Sequence, residues 1–186
     1  MIKFEYEIKN LGSCSFLGFW TLHALFRAEA DMKIAINGNP TMTKEFGFSS
    51  RMGEDGTDGY GGHLDTYQWP LTAGATGETH DLSRIVLDPP LTDKVVLQTP
   101  VDGTVQLINT RIGRSITFRV DANEIPFIGI CYNLGAWPFT GEKATWVAIE
   151  PSQGATDKLD ESTNLGAAVE FQPGVPFNFS FSIQLG

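Results

Sequence analysis

Apolar and polar residues alternate at both ends of this chain. In residues 1–10, Ile2, Phe4, Tyr6 and Ile8 fall on one side and Lys3, Glu5, Glu7 and Lys9 on the other, the period of a half-buried strand. The closing stretch repeats the pattern, with Phe177, Phe179, Phe181, Ile183 and Leu185 set against Asn178, Ser180, Ser182 and Gln184. Between them, residues 32–36 alternate and end in the turn residues Asn37, Gly38, Asn39 and Pro40. Short β-branched runs at 84–87, 94–98, 104–108 and 115–120 are separated by Pro, Asp-Gly or Gly turns. Residues 127–132 are apolar on both faces, as an inner strand of two stacked layers requires. Residues 145–150 form another strand, with Trp146, Ala148 and Glu150 on one side; Pro151, having no N–H to give, is expected to end the ladder. Regularity fails over residues 41–79, and residues 157–162 suit a helical turn at most. The pattern predicts an all-β protein, one domain over 1–186, without repeats or linkers.

A length of 186 residues with 41% hydrophobic and 19% charged content is that of one globular domain. No apolar run approaches the length of a membrane span, and the N-terminus has no basic-then-apolar leader. The expectation is no membrane association and, by default, a cytoplasmic location. The net charge of −9, with 13 Lys and Arg that never cluster, argues against nucleic-acid or anionic-membrane partners. An uncharged small molecule fits that balance better. Cys14 and Cys131 each lie in an apolar stretch and are expected to be buried free thiols. A domain seldom starts with its first residue already in strand register, so the reading expects missing residues upstream.

The candidate chemistry is sparse. Glu150, delivered at the mouth of an apolar strand, is a candidate general base, with apolar neighbours expected to raise its pKa. Taken alone, Glu-Pro at a strand end reads more simply as a solvated turn. His23 is the one group in the apolar run 16–26 that titrates near neutrality; on those residues alone, a core histidine bonded to a backbone carbonyl is the simpler reading. Residues 53–62 hold five glycines and three acids, but not at the alternating positions of an EF-hand loop, so no metal site is expected. A long irregular loop more often frames a binding site than links domains. His63 and Trp69, near its end, are the candidate rim residues.

Several of these pieces, in order, resemble one family. A strand is followed by Trp20-Thr-Leu-His23-Ala24-Leu-Phe, an irregular loop, Asn133-Leu-Gly-Ala-Trp137-Pro138, Ile149-Glu150-Pro151, and Gln172-Pro173-Gly174 before a last strand. This arrangement is similar to the C-terminal part of aldose 1-epimerases (galactose mutarotases) and spans essentially the whole chain. Ala24 stands where that family has proline. The resemblance implies a large antiparallel β-sandwich, the galactose mutarotase-like supersandwich, here without its N-terminal strands. It also implies that His23 is the catalytic acid, that Glu150 is the base, and that an aspartate binds sugar hydroxyls; Asp81 is the best placement for it. Trp69 and Trp137 either offer flat faces for a pyranose ring or belong to the core. Neither metal nor organic cofactor is implied. The substrate would be a free or phosphorylated aldose, although Arg27, Arg51 and Arg84 are lone basic residues. Two other readings stay open. One is a carbohydrate-binding β-sandwich without turnover. The other is a structural subunit whose open sheet edges pair with a partner, for instance as a homodimer.

Overall fold

The computed structural model describes residues 1–45, 48–54, 63–74 and 76–186, so most of the glycine-rich stretch 53–62 lies outside the described residues. The first half of the chain forms β1 (Ile2–Lys9), β2 (Phe16–Gly18), β3 (Ala24–Arg27), β4 (Met32–Ile36), β5 (Thr41–Lys44), β6 (Phe48–Ser49), β7 (Gly53–Glu54), β8 (Thr66–Gln68), β9 (Leu71–Ala73) and β10 (Thr79–Asp81). The second half adds β11 (Leu91–Gln98), β12 (Thr104–Asn109), β13 (Arg114–Val120), β14 (Phe127–Leu134), β15 (Thr145–Ser152), one short helix α1 (Leu159–Asn164), β16 (Val169–Phe171) and β17 (Pro176–Leu185).

Two antiparallel sheets dominate. A five-stranded sheet runs β1-β17-β13-β12-β4 and an eight-stranded sheet runs β10-β9-β8-β5-β11-β14-β15-β3. Their facing sides share one core: Ile34, Val105, Leu107 and Phe118 from the first meet Met42, Val95, Leu97, Ile128, Ile130, Tyr132, Val147 and Ile149 from the second. This is the β-sandwich that the alternation predicts. Pairing of β1 with β17 sets Tyr6 opposite Phe179 and Phe4 opposite Phe181, and both pairs stack, at 4.9 and 4.7 Å between ring centres. Trp20 joins them in a second, aromatic cluster. Among the described residues, no helix is long and apolar enough to cross a membrane.

The structure departs from the sequence reading at several places. Residues 84–87 are not a strand: Ile85 N–H bonds to the Met32 carbonyl and Arg84 makes one isolated bridge to Lys33, while the closely following Pro89 and Pro90 cannot donate to a ladder. The stretch 41–79, read as irregular, supplies strands β5 to β9 and the start of β10; their few residues each are too short to show a period. Strand β15 continues through Pro151 to Ser152, because the Pro151 carbonyl still accepts the Leu22 N–H at 3.0 Å. Cys131 is buried as expected, but Cys14 is exposed, in the bend before β2.

Candidate active site

The site is built by the register of the eight-stranded sheet. Thr92, Asn133 and Trp146 form one row across β11, β14 and β15, and Lys94, Cys131, Ala148 and Leu25 form the next, reaching β3. Val96, Gly129 and Glu150 form the third. Residues two apart on a strand share a face, so these rows are one surface turned away from the core. Ala24 lies opposite Ile149 and Thr21 opposite Ser152. His23 therefore falls opposite Glu150, as cross-strand neighbours on that surface. Over it opens a cavity of about 970 Å³, lined also by Phe19, Trp137, Phe139 and Asp157, a size that suits a small-molecule ligand.

Glu150 is 1% exposed. One oxygen, Oε2, lies 2.9 Å from the Lys94 ammonium. The other, Oε1, lies 3.0 Å from His23 Nε2, yet their alignment is not that of a hydrogen bond, so among the described residues Oε1 is a buried acceptor without a hydrogen-bond partner. Lys94 also donates to both oxygens of Asp157, at 2.6 and 2.8 Å. Burial pulls the Lys94 pKa down, but the Glu150 charge and the Asp157 hydrogen bonds outweigh it and hold the ammonium above the usual lysine range. Apolar neighbours were expected around Glu150; it is instead clamped by a cation. The His23 side chain is half-exposed on the cleft, with the Trp146 ring edge-on at 5.8 Å. Its segment is tied to the end of β15 by Leu22 N–H to the Pro151 carbonyl and by Thr21 Oγ1 to Ser152 Oγ at 2.7 Å. Beside the pair, burial and then the Glu150 charge push the Cys131 thiol up to about 12.

Of the residues singled out from sequence, the cleft brings together His23, Glu150 and Trp137. Asn133 holds Trp137 at the rim through both backbone groups, its Nδ2 donating to the Trp137 carbonyl at 2.8 Å and its Oδ1 accepting the Trp137 N–H at 3.0 Å. The other three candidates stand elsewhere. Trp69 is 3% exposed and belongs to the sandwich core, because the β8–β9 hairpin turns it inward. Asp81 accepts the Ser83 N–H and hydroxyl at 2.9 and 2.5 Å, the geometry of a turn aspartate, and does not line the cleft. His63 pairs with Glu161 at 2.9 Å, also outside the cleft lining.

Lys94 and Asp157 were missed. A signal for Lys94 was present: Asp93 and Lys94 are adjacent charges within an apolar strand and so point to opposite faces, and a central strand must partner each. Asp93 indeed meets Arg51 Nε at 2.5 Å and the Ser49 hydroxyl on the core side, leaving Lys94 to the cleft. Trp146 shares the Glu150 face in the alternation of residues 145–150, which marks it for the cleft, whereas Phe139 carried no signal that separates a cleft wall from a core.

By sequence, no family model and no curated protein matches the chain. Solved structures share its fold. A galactose mutarotase related enzyme from Lactobacillus acidophilus superposes with a TM-score of 0.60 at 14% identity, covering 99% of this chain and 57% of its own. A galactose mutarotase-like protein from Lactobacillus casei gives 0.52 at 14%, covering 99% and 58%. A TPR-domain containing protein from Parabacteroides distasonis gives 0.67 at 14%, covering 98% of this chain and 27% of that one. The chain thus spans little more than half the length of the two mutarotase-like proteins. The fold is galactose mutarotase-like.

Proposed function

We propose that the cleft binds a pyranose and that His23 and Glu150 interconvert its anomers, as an aldose 1-epimerase does. The observation that carries the reading is the cross-strand meeting of an imidazole and a carboxylate, 127 positions apart in sequence, on the floor of an aromatic-walled cleft. In the forward half-cycle Glu150 takes the proton of the C1 hydroxyl. The C1–O1 bond becomes a carbonyl, the C1–O5 bond breaks with its electron pair going to O5, and protonated His23 delivers a proton there. Rotation about C1–C2 and the reverse transfers close the ring on the other face and restore both groups. The two oxygens share one carbon, so an acid and a base side by side suit them. Lys94 and Asp157 act as positioning residues that fix the Glu150 carboxylate, and Trp137 offers an aromatic face to the sugar C–H groups.

Two carboxylates against one ammonium, Lys94 being already engaged by both, favour an uncharged aldose over a phosphorylated one. The test is polarimetry on freshly dissolved α-glucose and α-galactose. Catalysed decay of rotation, lost in His23→Ala, is expected; the uncatalysed rate with every common aldose would end the enzyme reading. A second reading is favoured by the burial of Glu150 and its grip on Lys94: a cleft that binds sugar without turnover. Calorimetric sugar binding with no catalysed decay would select it.

A further inference from the structure

A separate cluster lies outside the cleft lining and adjoins Asp157 through Glu45. Glu45 follows β5, His63 precedes β8 and Glu161 belongs to α1. One ligand atom of each lies within 4.8 Å of those of the other two. His63 Nε2 is 2.9 Å from Glu161 Oε2, and the other Glu161 oxygen accepts from Lys158 Nζ at 2.7 Å. Glu45 is 5% exposed. Its Oε1 accepts the Asp157 N–H at 2.7 Å, while among the described residues its buried Oε2 has no hydrogen-bond partner, and neither has the buried Nδ1 of His63. A bare buried carboxylate oxygen is costly unless a proton or a cation completes it.

We propose that Glu45, His63 and Glu161 bind a divalent cation of the zinc class. An imidazole with two carboxylates suits zinc or manganese, whereas calcium and magnesium favour all-oxygen sets. Ligand atoms around tetrahedral zinc stand roughly 3.3 Å apart, from metal–ligand distances of about 2.0–2.1 Å, so side-chain adjustment closes the cluster on the ion. The ion joins the segments after β5 and before β8 to α1. Through the Glu45–Asp157 bond it also steadies Asp157, which holds Lys94 in the cleft. The site is independent of the sugar reading.

The test uses the full chain, treated with chelator, dialysed, and titrated calorimetrically with ZnCl2 alone. One equivalent binding at micromolar Kd or tighter, with a rise in Tm, is expected. Affinity should fall at least ten-fold in His63→Ala and in Glu161→Gln and persist in His80→Gln, since His80 pairs with Glu78 elsewhere. Glu161→Gln is isosteric at a partly exposed position and keeps the variant arm readable if His63→Ala fails to fold. No binding to the wild-type chain, unchanged affinity in Glu161→Gln, or tighter binding of CaCl2 than of ZnCl2 would overturn the proposal.

Discussion

The Lys94 ammonium lies 2.9 Å from Glu150 Oε2, reaching diagonally across β14 to a carboxylate that is itself 1% exposed. The attraction between two such charges offsets the cost of taking both out of water only while both are present. Lys94→Met leaves Glu150 buried without its cation, and should lower unfolding stability by about 3–5 kcal/mol. Adding Glu150→Gln to that variant should recover part of the loss. Urea denaturation of the four members of this double-mutant cycle measures it; a Lys94→Met cost below about 1 kcal/mol, the range of exposed pairs, would contradict a buried clamp.

Gly129 makes that reach possible. A Cβ there would stand 2.8 Å from Glu150 Oε2 and 3.1 Å from Glu150 Cβ, so the carboxylate lies where a side chain of β14 would be. Gly129→Ala should cost about 1–3 kcal/mol by overpacking and should displace Glu150 from His23. The prediction is a modest fall in denaturation midpoint together with a larger loss of sugar turnover or binding. Unchanged function in a destabilised Gly129→Ala would mean that Glu150 needs no fixed place.

The two cysteines should separate cleanly by pH. Cys131, raised to about 12 from the ordinary 9.0, stays a thiol throughout the neutral range, whereas Cys14 is exposed. Because the folded pKa is raised, the contribution of Cys131 to stability is complete below the ordinary thiol value and is lost as pH climbs through about 12. At pH 8 a thiolate-selective disulfide reagent should titrate one thiol in the native chain and a second only after unfolding. Two thiols reacting at equal rates in the native state would contradict this.

Much of the fold was legible in the chain and less of the site. The aromatic alternation of β17 and the two-sided apolarity of β14 announce the sandwich, since burial on one or both faces leaves a period of two or none. The same logic failed over residues 41–79, where strands of two to four residues offer no period to read. Glu150 stands out by its place at a strand end and His23 as the titratable group of an apolar run, and the resemblance pairs them, but what joins them is a register that no local pattern reveals. Trp69 and Trp137 have the same neighbour in sequence, a proline, yet one is core and the other rim; only the hairpin that carries Trp69 and the Asn133 clamp on Trp137 distinguish them. Asp81 was chosen as a ligand and serves a turn, the commoner use of an aspartate before a serine.

Trp137 should matter for binding more than for folding. It is half-exposed at the rim, so Trp137→Ala leaves the core intact while removing the stacking face. Calorimetry with a neutral aldose should show Kd raised about ten-fold, equivalent to roughly 1.4 kcal/mol, with thermal stability nearly unchanged. The corresponding 6-phosphate should bind more weakly than the neutral sugar, since the cleft holds more carboxylates than ammonium groups. Stronger binding of the phosphate would place the substrate preference the other way.

Anomer exchange at equilibrium tests the central claim most directly. Two-dimensional NMR exchange spectroscopy on glucose or galactose, with the protein present, should show cross-peaks between the α and β anomeric protons. These should vanish in His23→Ala and in Glu150→Gln, with a rate loss of about 10²–10⁴-fold for each. Absence of exchange cross-peaks with the wild-type chain, or their persistence in both variants, would contradict proton transfer by His23 and Glu150.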